Sequence, residues 1–123
     1  AIAILSNGFA RIGAGYFSCE AGCEDIPGSI DHVWHHIFAR IGYAALVIAC
    51  LSWGIYCQQK KLQRFAYYSF ATIALAIPLL LLLQNSIEPR INTGLYQRLV
   101  TLTLSSWTLV LALVLLRNRD RYI

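Results

Sequence analysis

Three stretches of the chain run without a single charge: residues 41–57, 65–83 and 99–116. Each approaches the roughly 20 apolar residues a helix needs to cross a hydrocarbon core about 30 Å thick. The first of them extends backward through Arg40 toward His32. Residues 1–10 are also uncharged but too few to span alone, and they read as the end of a helix that begins earlier. A signal peptide fits this start less well, because no basic leading region is present. Contiguous runs of this length suit helices, whose amides bond internally. The period-two alternation of a barrel strand is absent from Leu79-Leu80-Leu81-Leu82-Leu83. The pattern predicts an all-α fold, an integral membrane helical bundle of three full transmembrane helices plus an N-terminal partial or fourth helix. The expected helices cover about 1–16, 32–57, 64–84 and 95–117 of a single transmembrane domain, residues 1–123. Pro78 falls inside the third helix, where its missing amide predicts a kink that neighbouring helices tolerate.

Charge adds an orientation. Lys60, Lys61 and Arg64 lie between the first two spans, and Arg117, Arg119 and Arg121 follow the last. The alternate connections hold Glu20, Glu24, Asp25 and Asp31 in one and Glu88 in the other, with Arg90 the single dissenting cation. The positive-inside rule makes the basic turn and tail cytoplasmic and predicts a multi-pass protein of the cell (inner) membrane with its C-terminus in the cytoplasm. Tyr67, Tyr68, Trp53, Tyr56 and Tyr122 fall near the expected borders, where amphipathic rings are favoured.

Composition agrees. Apolar types make up 58% of the chain and charged types 13%, about half the share that clothes a soluble domain. This excludes a disordered chain and an ordinary soluble enzyme, and it makes the lipid bilayer the first expected partner. The net charge of +4 is a topology signal; nucleic acid is not an expected partner, because no clustered basic face is seen.

Polar residues at the outer ends of the helices are the candidates for chemistry. His32, His36 and Arg40 recur at a spacing of four and share one helical stripe, with Asp31 and His35 beside them. His32, His35 and His36 are candidate metal ligands, with Cys19, Cys23 or Asp31 available to complete a tetrahedron. The alternative is an interfacial helix start capped by Asp31 or Ser29, its imidazoles wetted by headgroups. Arg40 sits deeper and must snorkel, pair or face a watery cavity. Together with Arg11 and Arg98 it could form an anion-attracting vestibule, so Arg11, Asp31, His36, Arg40 and Arg98 are the candidate ligand-binding set. Cys19 and Cys23 lie in the outward loop, where an oxidising compartment favours a disulfide; free thiols and metal ligation are the alternatives. Cys50 and Cys57 read as small packing residues. Thr101, Ser105 and Thr108 share one face of the last helix, and Ser69, Thr72 and Ala76 give the third a small face; both suit helix–helix packing. No phosphate loop, nucleophile elbow or HExxH signature is present, so no cofactor is specified.

Four segments carry a family resemblance: Gly13-Ala14-Gly15-Tyr16-Phe17-Ser18-Cys19-Glu20-Ala21-Gly22-Cys23, His35-His36 opening a helix, Gly94-Leu95-Tyr96-Gln97-Arg98, and Trp107 about nine residues later. Together they resemble the domain of unknown function 998 family, multi-pass membrane proteins of bacteria and archaea. Members show an aromatic, proline, cysteine, aspartate run where this chain has Phe17-Ser18-Cys19-Glu20. Members generally have more helices, so the resemblance implies that the chain corresponds to the C-terminal part of a longer protein. It implies an architecture and a membrane address, and no reaction.

Two functional expectations follow. One is a multi-pass membrane protein that binds a small ligand, lipid or partner at its extracytoplasmic mouth, its biochemical activity unspecified. The other is a metal-dependent enzyme at headgroup level using His32, His35 and His36, with a metal lowering the pKa of bound water. An incomplete first helix leaves packing faces open, so homo-oligomerisation or association with N-terminal helices of the longer chain is expected.

Overall fold

The computed structural model describes residues 2–17, 30–87 and 92–117, with His32 by its backbone alone. Every described element is helical: α1 (Ile2–Tyr16), α2 (Ile30–Gln59), α3 (Gln63–Ser86) and α4 (Thr93–Arg117). Three segments, Val33–Gln59, Gln63–Ser86 and Thr93–Arg117, are long and apolar enough to cross a membrane. The protein is an all-α membrane protein, as its hydrophobic pattern requires. Its helices expose Leu75, Leu81, Leu82, Leu102, Leu109 and Leu113, a surface that water would not tolerate and lipid covers without cost.

Contacts divide the chain into two compact units, Ala1–Ala49 and Cys50–Ile123, with the boundary inside α2. In the first unit, α1 meets the opening half of α2 through small residues. Asn7 Nδ2 donates to the Gly42 carbonyl at 2.9 Å, and Ala10 is buried one turn further along. Gly13 approaches the ring of Phe38 so closely that a Cβ there would lie 2.7 Å from it. Phe38 cannot swing away freely, since it stacks on Phe17 at 5.7 Å between centroids and packs on Trp34 at 6.0 Å.

The second unit holds the end of α2 with α3 and α4. Lipid supplies no hydrophobic drive between helices, so close packing and hydrogen bonds must hold them. On α3 the buried residues are mostly small, Ala66, Ser69, Thr72 and Ala76. On α4 they are large, Val100, Leu104, Trp107 and Leu111 at heptad-like spacing. The two faces are complementary. Trp107, fully buried, donates from Nε1 to Ser69 Oγ at 2.9 Å, and Ser69 in turn donates to the Phe65 carbonyl at 3.0 Å. Tyr68 and Ser106 share a hydroxyl bond of 3.2 Å beside them. At the other end Thr93 Oγ1 donates to the Ser86 carbonyl at 2.7 Å, so α3 and α4 run antiparallel. Gly54 of α2 fits against Phe70 and Ser69, its would-be Cβ 3.0 Å and 3.3 Å from them. Cys50 and Cys57 are buried free thiols, the packing role read from sequence. α3 continues through Pro78 without interruption.

Candidate functional site

At the end of α1 the last carbonyls have no helical partner and need one from elsewhere. Phe17 N–H takes the Gly13 carbonyl at 2.9 Å. His35 takes the next, its Nδ1 lying 2.8 Å from both the Ala14 and the Phe17 carbonyls. Carbonyls only accept, so Nδ1 carries the proton and Nε2 is left as the nitrogen able to take a further proton or a ligand. His35 is thus a cap for α1 supplied by α2, a role that the sequence gives no sign of.

The other expected site residues are placed as follows. Arg11 is exposed on α1 and Asp31 is exposed in the first turn of α2. His36 is half-buried, its ring edge-on to that of His35 at 5.9 Å. Arg40 is exposed about two turns into its span, on a face of α2 roughly 140° away from His35 at about 100° per residue. His35 turns its Nδ1 onto α1 beside the His36 ring. Cys19, Cys23 and the His32 side chain lie outside the described residues, and so do the disulfide and the full metal set built on them. Among the described residues no three His, Cys, Asp or Glu side chains are grouped to hold a metal.

Arg98 lies in the second unit, exposed on α4. It lines a groove of about 670 Å³ with Gly94, Gln97, Thr101, Leu102 and Ser105. Residues 94, 97, 98, 101 and 105 recur at helical spacing, so a polar stripe with one cation runs down the start of an otherwise apolar helix. The α3–α4 seam is bonded through Tyr68, Ser69, Ser106 and Trp107.

A second groove, also about 670 Å³, opens at the opposite end of the same helix pair. Lys61, Arg64 and Arg117 are exposed at its rim, and Phe65, Tyr68, Val110 and Val114 form its floor. Antiparallel packing brings the start of α3 beside the end of α4, which gathers three cations that are distant in sequence. The turn feeding it is a Schellman cap: Leu62 N–H bonds the Cys57 carbonyl at 2.9 Å and Lys61 N–H the Gln58 carbonyl at 3.3 Å. Lys61 occupies the left-handed position with φ of 60°, where glycine is the unstrained residue.

The family model described as a protein of unknown function (DUF998) matches residues 1–114. The chain belongs to the DUF998 family. No curated protein and no solved structure matches it. The DUF998 resemblance residues that the structure describes fall into three places: Gly13 to Phe17 and His35 at the α1–α2 contact, Gly94, Gln97 and Arg98 on the polar groove, and Trp107 in the α3–α4 seam. Gln97 and Arg98 are exposed on the polar groove, whereas Trp107 is buried and His35 caps α1.

Proposed function

We propose that this DUF998 membrane protein binds a small anionic ligand at its extracytoplasmic mouth, with Arg98 as the anchoring cation and Gln97, Thr101 and Ser105 as its polar neighbours. The single observation that carries the reading is the polar groove on α4, which gathers a guanidinium and polar side chains at the border of a membrane-spanning helix, just before its charge-free run. A cation at that border, set among polar neighbours above an apolar span, is placed to meet an anion from the headgroup or aqueous side. Arginine also matches carboxylate and phosphate with two parallel bonds. The threading that puts this groove outside is the positive-inside reading: the turn with Lys60, Lys61 and Arg64 and the end at Arg117 face the cytoplasm. By the same alternation Arg11, His36 and Arg40 belong to the outer side, together with the acids Glu20, Glu24, Asp25, Asp31 and Glu88.

The test is thermal unfolding of the detergent-purified chain against a panel of inorganic phosphate, sulfate and short dicarboxylates at fixed ionic strength. At least one anion raises the melting temperature saturably, and Arg98→Gln weakens that response about 10- to 100-fold, the worth of a charge-assisted pair. A flat response to the whole panel, or an unchanged response in Arg98→Gln, rejects the reading.

A further inference from the structure

The groove at the basic end of α3 and α4 points to a second binding site, separate from the proposed anion site. We infer that it seats one anionic phospholipid, with the headgroup phosphate among Lys61, Arg64 and Arg117 and an acyl chain along Phe65, Tyr68, Val110 and Val114. The spans Gln63–Ser86 and Thr93–Arg117 begin and end at these cations, so the rim lies at headgroup depth and the floor at acyl depth. Charge complementarity selects the occupant. A soluble anion would neutralise the rim and leave the aromatic and valine floor uncovered; a zwitterionic lipid would cover the floor and leave three cations unbalanced. An anionic amphiphile covers the floor and also lowers the rim's net positive charge, and basic recesses between transmembrane helices bind such headgroups.

The backbone supplies an independent observation. Adjacent lysines close the α2–α3 turn, and they are used differently. Lys60 lies over the Tyr56 ring with its Nζ 5.8 Å from the centroid, whereas Lys61 lines the groove. Lys61 does so from a left-handed backbone conformation that disfavours any residue with a Cβ. A position where glycine would relax the cap instead carries a cation aimed at the groove. The left-handed residue of this helix cap is thus also the lysine of the pair that lines the groove.

Trp107 makes the site observable, because its ring stacks on Phe65 of the floor at 6.1 Å between centroids. With Trp34→Phe and Trp53→Phe removing the other indoles, quenching of Trp107 by brominated acyl chains reports occupancy of the groove. The full chain is reconstituted in phosphatidylcholine containing brominated phosphatidylglycerol or, separately, brominated phosphatidylcholine. Each cation contributes a factor of about two to five at physiological screening, so phosphatidylglycerol is expected to be preferred roughly ten- to hundredfold. Arg64→Gln and Arg117→Gln each lower that preference by about one such factor. Lys61→Gly gives a signature that misfolding cannot mimic: it melts higher in neutral detergent while losing the same share of lipid preference. Equal quenching by the two brominated lipids overturns the proposal, as does a Lys61→Gly protein that keeps its preference. Loss of the preference on adding free inorganic phosphate overturns it in favour of a soluble anion.

Discussion

Ser69 shows how one hydroxyl can hold a membrane seam together. It donates to the Phe65 carbonyl and accepts from Trp107 Nε1, so the buried indole N–H has its partner and the serine spends its own proton within its helix. Ser69→Ala strands that N–H in a fully buried site and is expected to destabilise the protein by about 1–3 kcal/mol. Trp107→Phe removes the donor and keeps most of the ring, and is expected to cost less, about 1 kcal/mol for the bond plus some packing. The double variant should sit close to Trp107→Phe alone, because once the donor is gone the serine has nothing further to satisfy. Equilibrium unfolding of the four proteins in one detergent measures the coupling, and strict additivity would show that the bond contributes nothing. His35 is the parallel case in the first unit: His35→Ala releases two carbonyls at the end of α1 and should cost about 1–2 kcal/mol, while Arg40→Ala, on the opposite face, should leave that unit's stability within about 0.5 kcal/mol.

At the scale of elements, the glycines of α1 separate space from propensity. Gly8 has nothing within 4 Å of a would-be Cβ, so Gly8→Ala adds only helix propensity and is expected to be neutral or stabilising by up to about 1 kcal/mol. Gly13→Ala gains the same propensity but drives its methyl into a Phe38 ring wedged among Phe17 and Trp34, and overpacking of about 1–3 kcal/mol outweighs it. Melting temperatures moving in opposite directions check this pair; two equal shifts would remove Gly13 from the α1–α2 contact. The three long apolar helices were legible in the sequence because a charge-free run of membrane length has few other solutions. The small face of Ser69, Thr72 and Ala76 was legible from its spacing for the same reason. Its bonded partners were not: nothing in the spacing of α4 singles out Ser106 and Trp107, and only the rotation of that helix about its axis brings them to Tyr68 and Ser69. Periodicity fixes the faces of a helix and leaves open which neighbour each face receives. The basic groove was hidden differently, since Lys61, Arg64 and Arg117 already had an explanation as topology signals and become one site only when α3 and α4 fold back on each other.

At the scale of the whole molecule, the positive-inside reading and the proposed lipid site draw on the same cations, and the two proposed roles can be pulled apart. Threading depends on the count of cations flanking a span and is insensitive to their conformation. Binding in the groove depends on where each one points. Replacing Lys60 with Gln removes a cation that stacks over Tyr56 outside the groove, and replacing Lys61 with Gln removes one that lines it. The two single variants are equivalent to the threading machinery. A C-terminal alkaline phosphatase fusion should therefore be inactive, and a C-terminal fluorescent protein bright, in the parent and in both variants, as expected of a cytoplasmic end. Their effects on phosphatidylglycerol preference should differ, with Lys61→Gln losing about the factor of two to five assigned to one cation and Lys60→Gln losing less. Replacing Lys60, Lys61 and Arg64 together takes away every cation of the α2–α3 turn and leaves the connection containing Arg90 as the more basic side of α3. That triple variant should thread as a mixture, with phosphatase activity appearing at the C-terminus. A parent fusion already active in phosphatase would invert the threading and place the basic groove outside; the lipid site would survive that result, whereas the extracytoplasmic position of Arg98 would not.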